Sequence, residues 1–176
     1  MVRYLRVVSL AFILPVVITG CAGMDTGSPQ TRDEFVTVMK SGRLFTNAEN
    51  VVVNRPVKAV IADATDYANR CLDVRATAAP SYQYKSAGGS TTYRPKVGAN
   101  QRGVVALTVQ EEYNNRPQKG QAPGGTFVFV AEMRGVSASQ TRVDIYYLTT
   151  KGKIADMLIK WVNGDKRLCP SLARTV

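Results

Sequence analysis

The chain reads as one α+β domain in which helices cover one face of an antiparallel sheet. Three observations predict this. Apolar residues recur at helical spacing through Val57, Val60, Ile61, Ala64, Tyr67, Ala68, Cys71 and Leu72, which makes a long helix over 56–72. Residues 103–112, 125–134 and 141–149 alternate with the period of half-buried strands. Ile154, Met157, Leu158, Trp161 and Val162 then form a second, shorter helical stripe that opens at Gly152 and that Gly164 stops.

The remaining elements follow in order. Thr31 and Glu34 have capping-box spacing, Phe35, Val36 and Met39 lie near one face, and Gly42 stands where the turn would end, so a short helix spans about 32–41. The β-branched run Val51 to Val53 suits a strand over 49–54. Pro56 fits the first position of the long helix. Its outer face carries Lys58, Asp63, Asp66 and Arg70, the last two at i,i+4 spacing. Shorter candidate strands at 73–78, 81–86 and 90–94 precede the three clear ones. Phe127, Phe129, Ala131 and Met133 are expected to share one strand face, as are Val143, Ile145 and Tyr147, with Gly135 to Ser139 turning between the two strands as a hairpin. Two stretches, 86–101 and 114–125, are basic and rich in glycine, proline or asparagine, and read as long loops.

The first 21 residues have a basic start at Arg3 and Arg6, an apolar run from Val7 to Ile18, and then Ile18-Thr19-Gly20-Cys21. That order resembles a bacterial lipoprotein signal peptide with its lipobox. The run is about a dozen residues, short of the roughly 20 that a bilayer-spanning helix needs. The resemblance implies cleavage before Cys21 and acylation of Cys21, so that lipid holds a periplasmic domain to a membrane. The small, polar and aperiodic residues that follow read as a flexible tether over 21–30, leaving one domain over 31–176. Ala22, where some sorted lipoproteins carry aspartate, favours the outer membrane. The order of elements is similar to that of helix-grip domains, including those in lipoprotein subunits of the outer-membrane β-barrel assembly machinery. This similarity is one of architecture and transfers no functional residues.

With Cys21 given to lipid, Cys71 and Cys169 remain in a compartment where disulfides persist. A bridge between them would clamp both helices over the sheet; the alternative is two buried thiols acting as small hydrophobes. The net charge is +10, of which Arg3 and Arg6 supply two. Between Val74 and Ala131 the only acids are Glu111 and Glu112, against Arg75, Lys85, Arg94, Lys96, Arg102, Arg116 and Lys119. Such a surface outside the cytosol suits anionic head groups or an acidic protein, and nucleic acid is not an expected partner.

Candidate chemistry is sparse. The chain has no histidine, which removes the usual nucleophile pairs and the commonest transition-metal ligand. Asp63 and Asp66 read as a solvated helix face, while Glu111 and Glu112, adjacent in a strand, point to opposite faces and cannot flank one substrate. Thr37 precedes Lys40 by three without the companion motifs of serine-lysine enzymes. The glycine clusters at 87–90 and 123–125 lack the ending of a phosphate loop. No catalytic residue, metal or cofactor is expected. Tyr93, Arg94, Lys96, Arg116 and Lys119 are the candidates for binding a partner. Phe127, Phe129, Tyr147 and Trp161 are either plain core or the lining of an apolar pocket. The expected function is that of a non-enzymatic envelope lipoprotein serving as an interaction or assembly module; the alternative is a carrier or sensor of a lipid or other amphipathic molecule.

Overall fold

The computed structural model describes residues 27–42, 44–78, 88–99, 104–114 and 119–172. The elements run α1 (Arg32–Lys40), β1 (Thr46–Val53), α2 (Val57–Tyr67) continued by a π-helical turn (Ala68–Leu72), β2 (Arg75–Ala78), β3 (Gly89–Ala99), β4 (Val105–Tyr113), β5 (Thr126–Ser137), β6 (Gln140–Leu148), a 3-10 turn (Thr149–Lys151) and α3 (Gly152–Val162). The strands form one antiparallel sheet in the order β1-β6-β5-β4-β3-β2. The α+β class is therefore as expected. The candidate strand at 81–86 lies outside the described residues, as do the signal segment and Cys21.

One sheet face carries the main core. Leu107, Val109, Phe129, Ala131, Met133, Val143 and Ile145 meet Val60, Ala64 and Tyr67 of α2 and Ile154, Leu158 and Trp161 of α3. Tyr67 and Trp161 pack as a tilted ring pair with centroids 5.4 Å apart. Burial pushes the Tyr67 hydroxyl pKa up, so it stays protonated and donates to the Ile154 carbonyl at 3.1 Å. The expectation that helices cover one face holds for α2 and α3. Helix α1 differs: Phe35, Val36 and Met39 pack on the opposite face against Ala106, Val130 and Tyr146. Helical periodicity tells which stripe of a helix is buried but not which side of a sheet receives it.

Local signals were met with small changes. The Thr31 hydroxyl accepts from the Glu34 N–H, as a capping box requires, but the Glu34 carboxylate accepts from the Gln30 N–H, one residue earlier than that motif predicts. Pro56 is the N-cap of α2, with ψ 142°, rather than its first helical residue. The hairpin between β5 and β6 closes through Ser137 opposite Gln140. Gly164 ends α3 at φ +101°, a value side chains rarely adopt.

Three expectations are corrected. First, Phe127 does not share a face with Phe129, Ala131 and Met133. The register passes from Val109 opposite Phe129 to Gln110 opposite Phe127, so Val128 is an extra residue in a β-bulge. One inserted residue reverses every side chain before it, and Phe127 meets Phe35 of α1 at 6.2 Å. Second, the candidate strand at 90–94 is present and runs on over Gly89–Ala99, through most of the stretch 86–101 expected as a loop. Pro95 is tolerated because its nitrogen faces away from β4. The Tyr93 N–H, on the same lateral side two residues earlier, bonds the Val74 carbonyl, and β2 pairs only up to Thr92. Pro95 therefore occupies an edge, where no N–H is missed. Third, Asp63 is buried at 4% exposure and not solvated; it pairs with Arg55 and Lys166, from before α2 and after α3. The Asp66 and Arg70 pair stands at 3.5 Å as the spacing implied.

Cys71 and Cys169 form a disulfide with Cα atoms 5.2 Å apart, closing 98 residues. It joins the π-helical turn to the tail after α3. That tail is also held by Trp161, whose indole N–H donates to the Leu168 carbonyl at 2.7 Å.

Candidate functional site

Strand alternation divides the candidate binding residues between the two sheet faces. Tyr93 faces the core and is only 4% exposed, so it is not available to a partner. Its hydroxyl accepts a hydrogen bond from the Lys151 ammonium at 3.2 Å, and Lys151 also pairs with Glu111. Burial works against the charge of Lys151, but the hydrogen bond and charge of Glu111 outweigh it and the lysine pKa is raised. The stability this gives is complete below the ordinary lysine range and is lost only as pH climbs through the raised value. Arg94 and Lys96 point to the opposite face and are exposed. Arg94 bonds Glu112 at 2.8 Å, so Glu111 and Glu112 do point to opposite faces. Lys119 is exposed beside Gly120, whose carbonyl accepts from the Gln30 side chain at 2.7 Å. Arg116 lies outside the described residues.

The face that bears Arg94 and Lys96 is only partly covered. Helix α1 packs over β1, β6 and β5 and leaves an open groove of about 1080 Å³ between itself and the strands β3 to β5. One wall is an α1 stripe at positions 32, 33, 36, 37 and 40. The floor carries Lys96, Thr108, Gln110, Phe127, Glu132 and Arg134. Four cations, Arg32, Lys40, Lys96 and Arg134, stand against two acids, Asp33 and Glu132, in its lining. Only Lys96 of these was a candidate from sequence. The signal for Arg32, Asp33 and Lys40 was the outward α1 stripe, visible as spacing but without anything to name its partner strands.

The groove's charges are fixed in part by neighbours. Arg134 and Arg142 stand directly opposite each other on β5 and β6, a repulsive arrangement, and the buried Asp144 accepts from both. The hydrogen bond and charge of Asp144 raise the Arg142 pKa. Glu132, opposite Asp144, is approached by Arg32 from α1 at 3.9 Å. Lys40 stands over the Tyr146 ring at 5.2 Å. The result is a polar, net basic channel with ordered arginines, suited to extended segments that carry carboxylates.

Other motifs resolve into structure. The Thr37 hydroxyl is spent on the Asp33 carbonyl at 2.8 Å, one turn back. The 123–125 cluster is a turn gripped by Gln110, whose side-chain amide donates to the Pro123 and Gly125 carbonyls. A Cβ at Gly125, where φ is +112°, would stand 2.5 Å from the Glu111 carbonyl oxygen. Gly125→Ala is thus expected to cost about 2 kcal/mol through overlap and strain, measurable by urea unfolding; an unchanged midpoint would refute this. The four aromatics do not enclose one pocket. Phe129 and Trp161 are sealed in the core, Tyr147 borders it, and Phe127 is on the other face.

Among the described residues, no helix is long and apolar enough to cross a membrane, and no group of three or more His, Cys, Asp or Glu gathers as a metal site. No protein-family model matches the chain, and no curated protein matches it in sequence.

Proposed function

We propose that this chain is a non-enzymatic envelope lipoprotein, anchored through Cys21 to the outer membrane, whose periplasmic α+β domain engages another envelope protein as an assembly or interaction module. The observation that carries the reading is the basic groove beside α1, open and polar where an apolar carrier would need an enclosed cavity. Phe129 and Trp161 are fully buried and fill the space that a lipid would occupy in the main core. The disulfide supports an oxidising compartment, and the residue order from Arg3 to Cys21 supports export and lipidation.

Two experiments test it. Photoreactive residues at Lys96 on the floor of the groove and Thr37 on its α1 wall are expected to give a discrete protein adduct in intact cells, while a control at Lys58 on the outer surface of α2 gives none. Equal adducts at all three positions, or lipid adducts alone, would remove the groove from the account. Separately, Cys21→Ser is expected to accumulate as an uncleaved precursor without incorporated fatty acid; normal processing of that variant would refute the anchor.

A further inference from the structure

The geometry points to the Leu44–Phe45 turn as a contact that dips into the membrane surface and orients the domain, an inference that rests on the lipid anchor proposed above. These two residues are 86% and 74% exposed, the most exposed large apolar side chains among the described residues. Phe45 also adopts φ +69°, a left-handed conformation that a bulky side chain rarely takes. Both features are locally unfavourable in water. They are nevertheless held in place: the Phe45 carbonyl accepts from the Thr149 N–H at 3.0 Å, pinning the turn to the end of β6. A fixed backbone that presents two adjacent apolar side chains is arranged for something outside the domain, and the position of the turn says what.

Thr46 pairs with Leu148, and Phe129 with Tyr147, so the start of β1, the end of β6 and the start of β5 all lie at one end of the sheet. The connection leading into β5 therefore belongs to that same end, and there Gly120 holds the Gln30 side chain. Gln30 is where the tether from Cys21 joins the domain. Gln30 follows Cys21 by nine positions, which span at most about 30 Å when fully extended. An acylated Cys21 thus keeps this end of the sheet within reach of the bilayer, and Leu44 and Phe45 are the apolar groups that face it. Lys119, exposed in the same connection, adds positive charge toward anionic head groups. The occupant that fits is a phospholipid surface, into whose headgroup and acyl boundary short apolar side chains sink.

The test uses the full, processed chain reconstituted in phosphatidylethanolamine and phosphatidylglycerol vesicles that contain brominated acyl chains. Phe45→Trp reports the turn, and Val136→Trp, exposed in the hairpin at the other end of the sheet, is the control; Trp161 is buried and gives a constant background. The expected result is a blue shift and loss of emission for Phe45→Trp and neither for Val136→Trp. Vesicle flotation with no quenching of Phe45→Trp would overturn the proposal while leaving the anchor intact. Quenching of both variants would overturn it too, because the domain would have no preferred end. An emission shift that follows protein concentration without bromolipid quenching would assign the turn to a second copy. Failure to float would overturn the anchor and, with it, the membrane contact.

Discussion

Replacing Cys71 and Cys169 together with alanine is expected to lower stability by about 5 kcal/mol, the value the chain-entropy model gives for a closed loop of this size. At roughly 2–4 °C per kcal/mol for a domain of this length, the melting temperature should fall by about 10–20 °C. Reductant added to the parent should produce the same fall, and the double variant should not respond to it. A parent whose melting temperature ignores reductant, with two titratable thiols, would refute the bridge. The effect is large because the disulfide reaches across nearly the whole fold, from the π-helical turn after α2 to the tail after α3. That tail closes over Trp161 through the Leu168 carbonyl, and Arg70 lies over the same ring at 5.2 Å. Losing the crosslink frees the tail and opens one side of the core.

The second large effect is expected for Asp63→Ala, a loss of about 3 kcal/mol measured by urea unfolding, because a buried carboxylate that neutralises two cations is removed. Arg55 pairs with Asp63 and also donates to the Val162 carbonyl at 2.8 Å, satisfying the last turn of α3. Lys166 reaches the same carboxylate from the tail. Without Asp63, two partly buried cations lose their counter-charge and the contact between α2 and α3 loosens. Asp66→Ala, an exposed i,i+4 pair with Arg70, should change stability by about 0.5 kcal/mol or less. Equal effects of the two substitutions would refute the buried role of Asp63. Because Asp63 and Cys169 hold the same tail, their losses should not add.

The difference between Asp63 and Asp66 shows what the sequence could and could not disclose. The helical stripes of α2 and α3 are periodic and local, and the residues they predict, from Val60 to Trp161, are those in the core. The partners of Asp63 come from positions 55 and 166, more than 100 residues apart, and no local pattern announces them. The bulge at Val128 was illegible for a similar reason: the alternation of Phe127, Phe129, Ala131 and Met133 is unbroken, and only pairing with β4 reveals the extra residue. In β3, Pro95 obscured how far the strand at 90–94 continues, although Tyr93 and Val97 on either side of it point inward in the usual way. The groove was half legible. Lys96 was marked by charge, while Arg32, Lys40 and Arg134 gained meaning only when α1 was seen to lie on the second face.

The position of Pro95 has a consequence for life on a crowded surface. Proteins tethered to a membrane meet their own copies at a far higher local concentration than free molecules do, and an open strand edge is then an invitation to polymerise. Beyond Thr92 the β3 strand has no β2 neighbour, so a second copy could add along this stretch. Pro95 withholds a donor there and Lys96 follows with a charge, which makes that border a poor template for growth. In the anchored form proposed here, Pro95 makes this stretch of β3 harder to extend with a neighbour's strand.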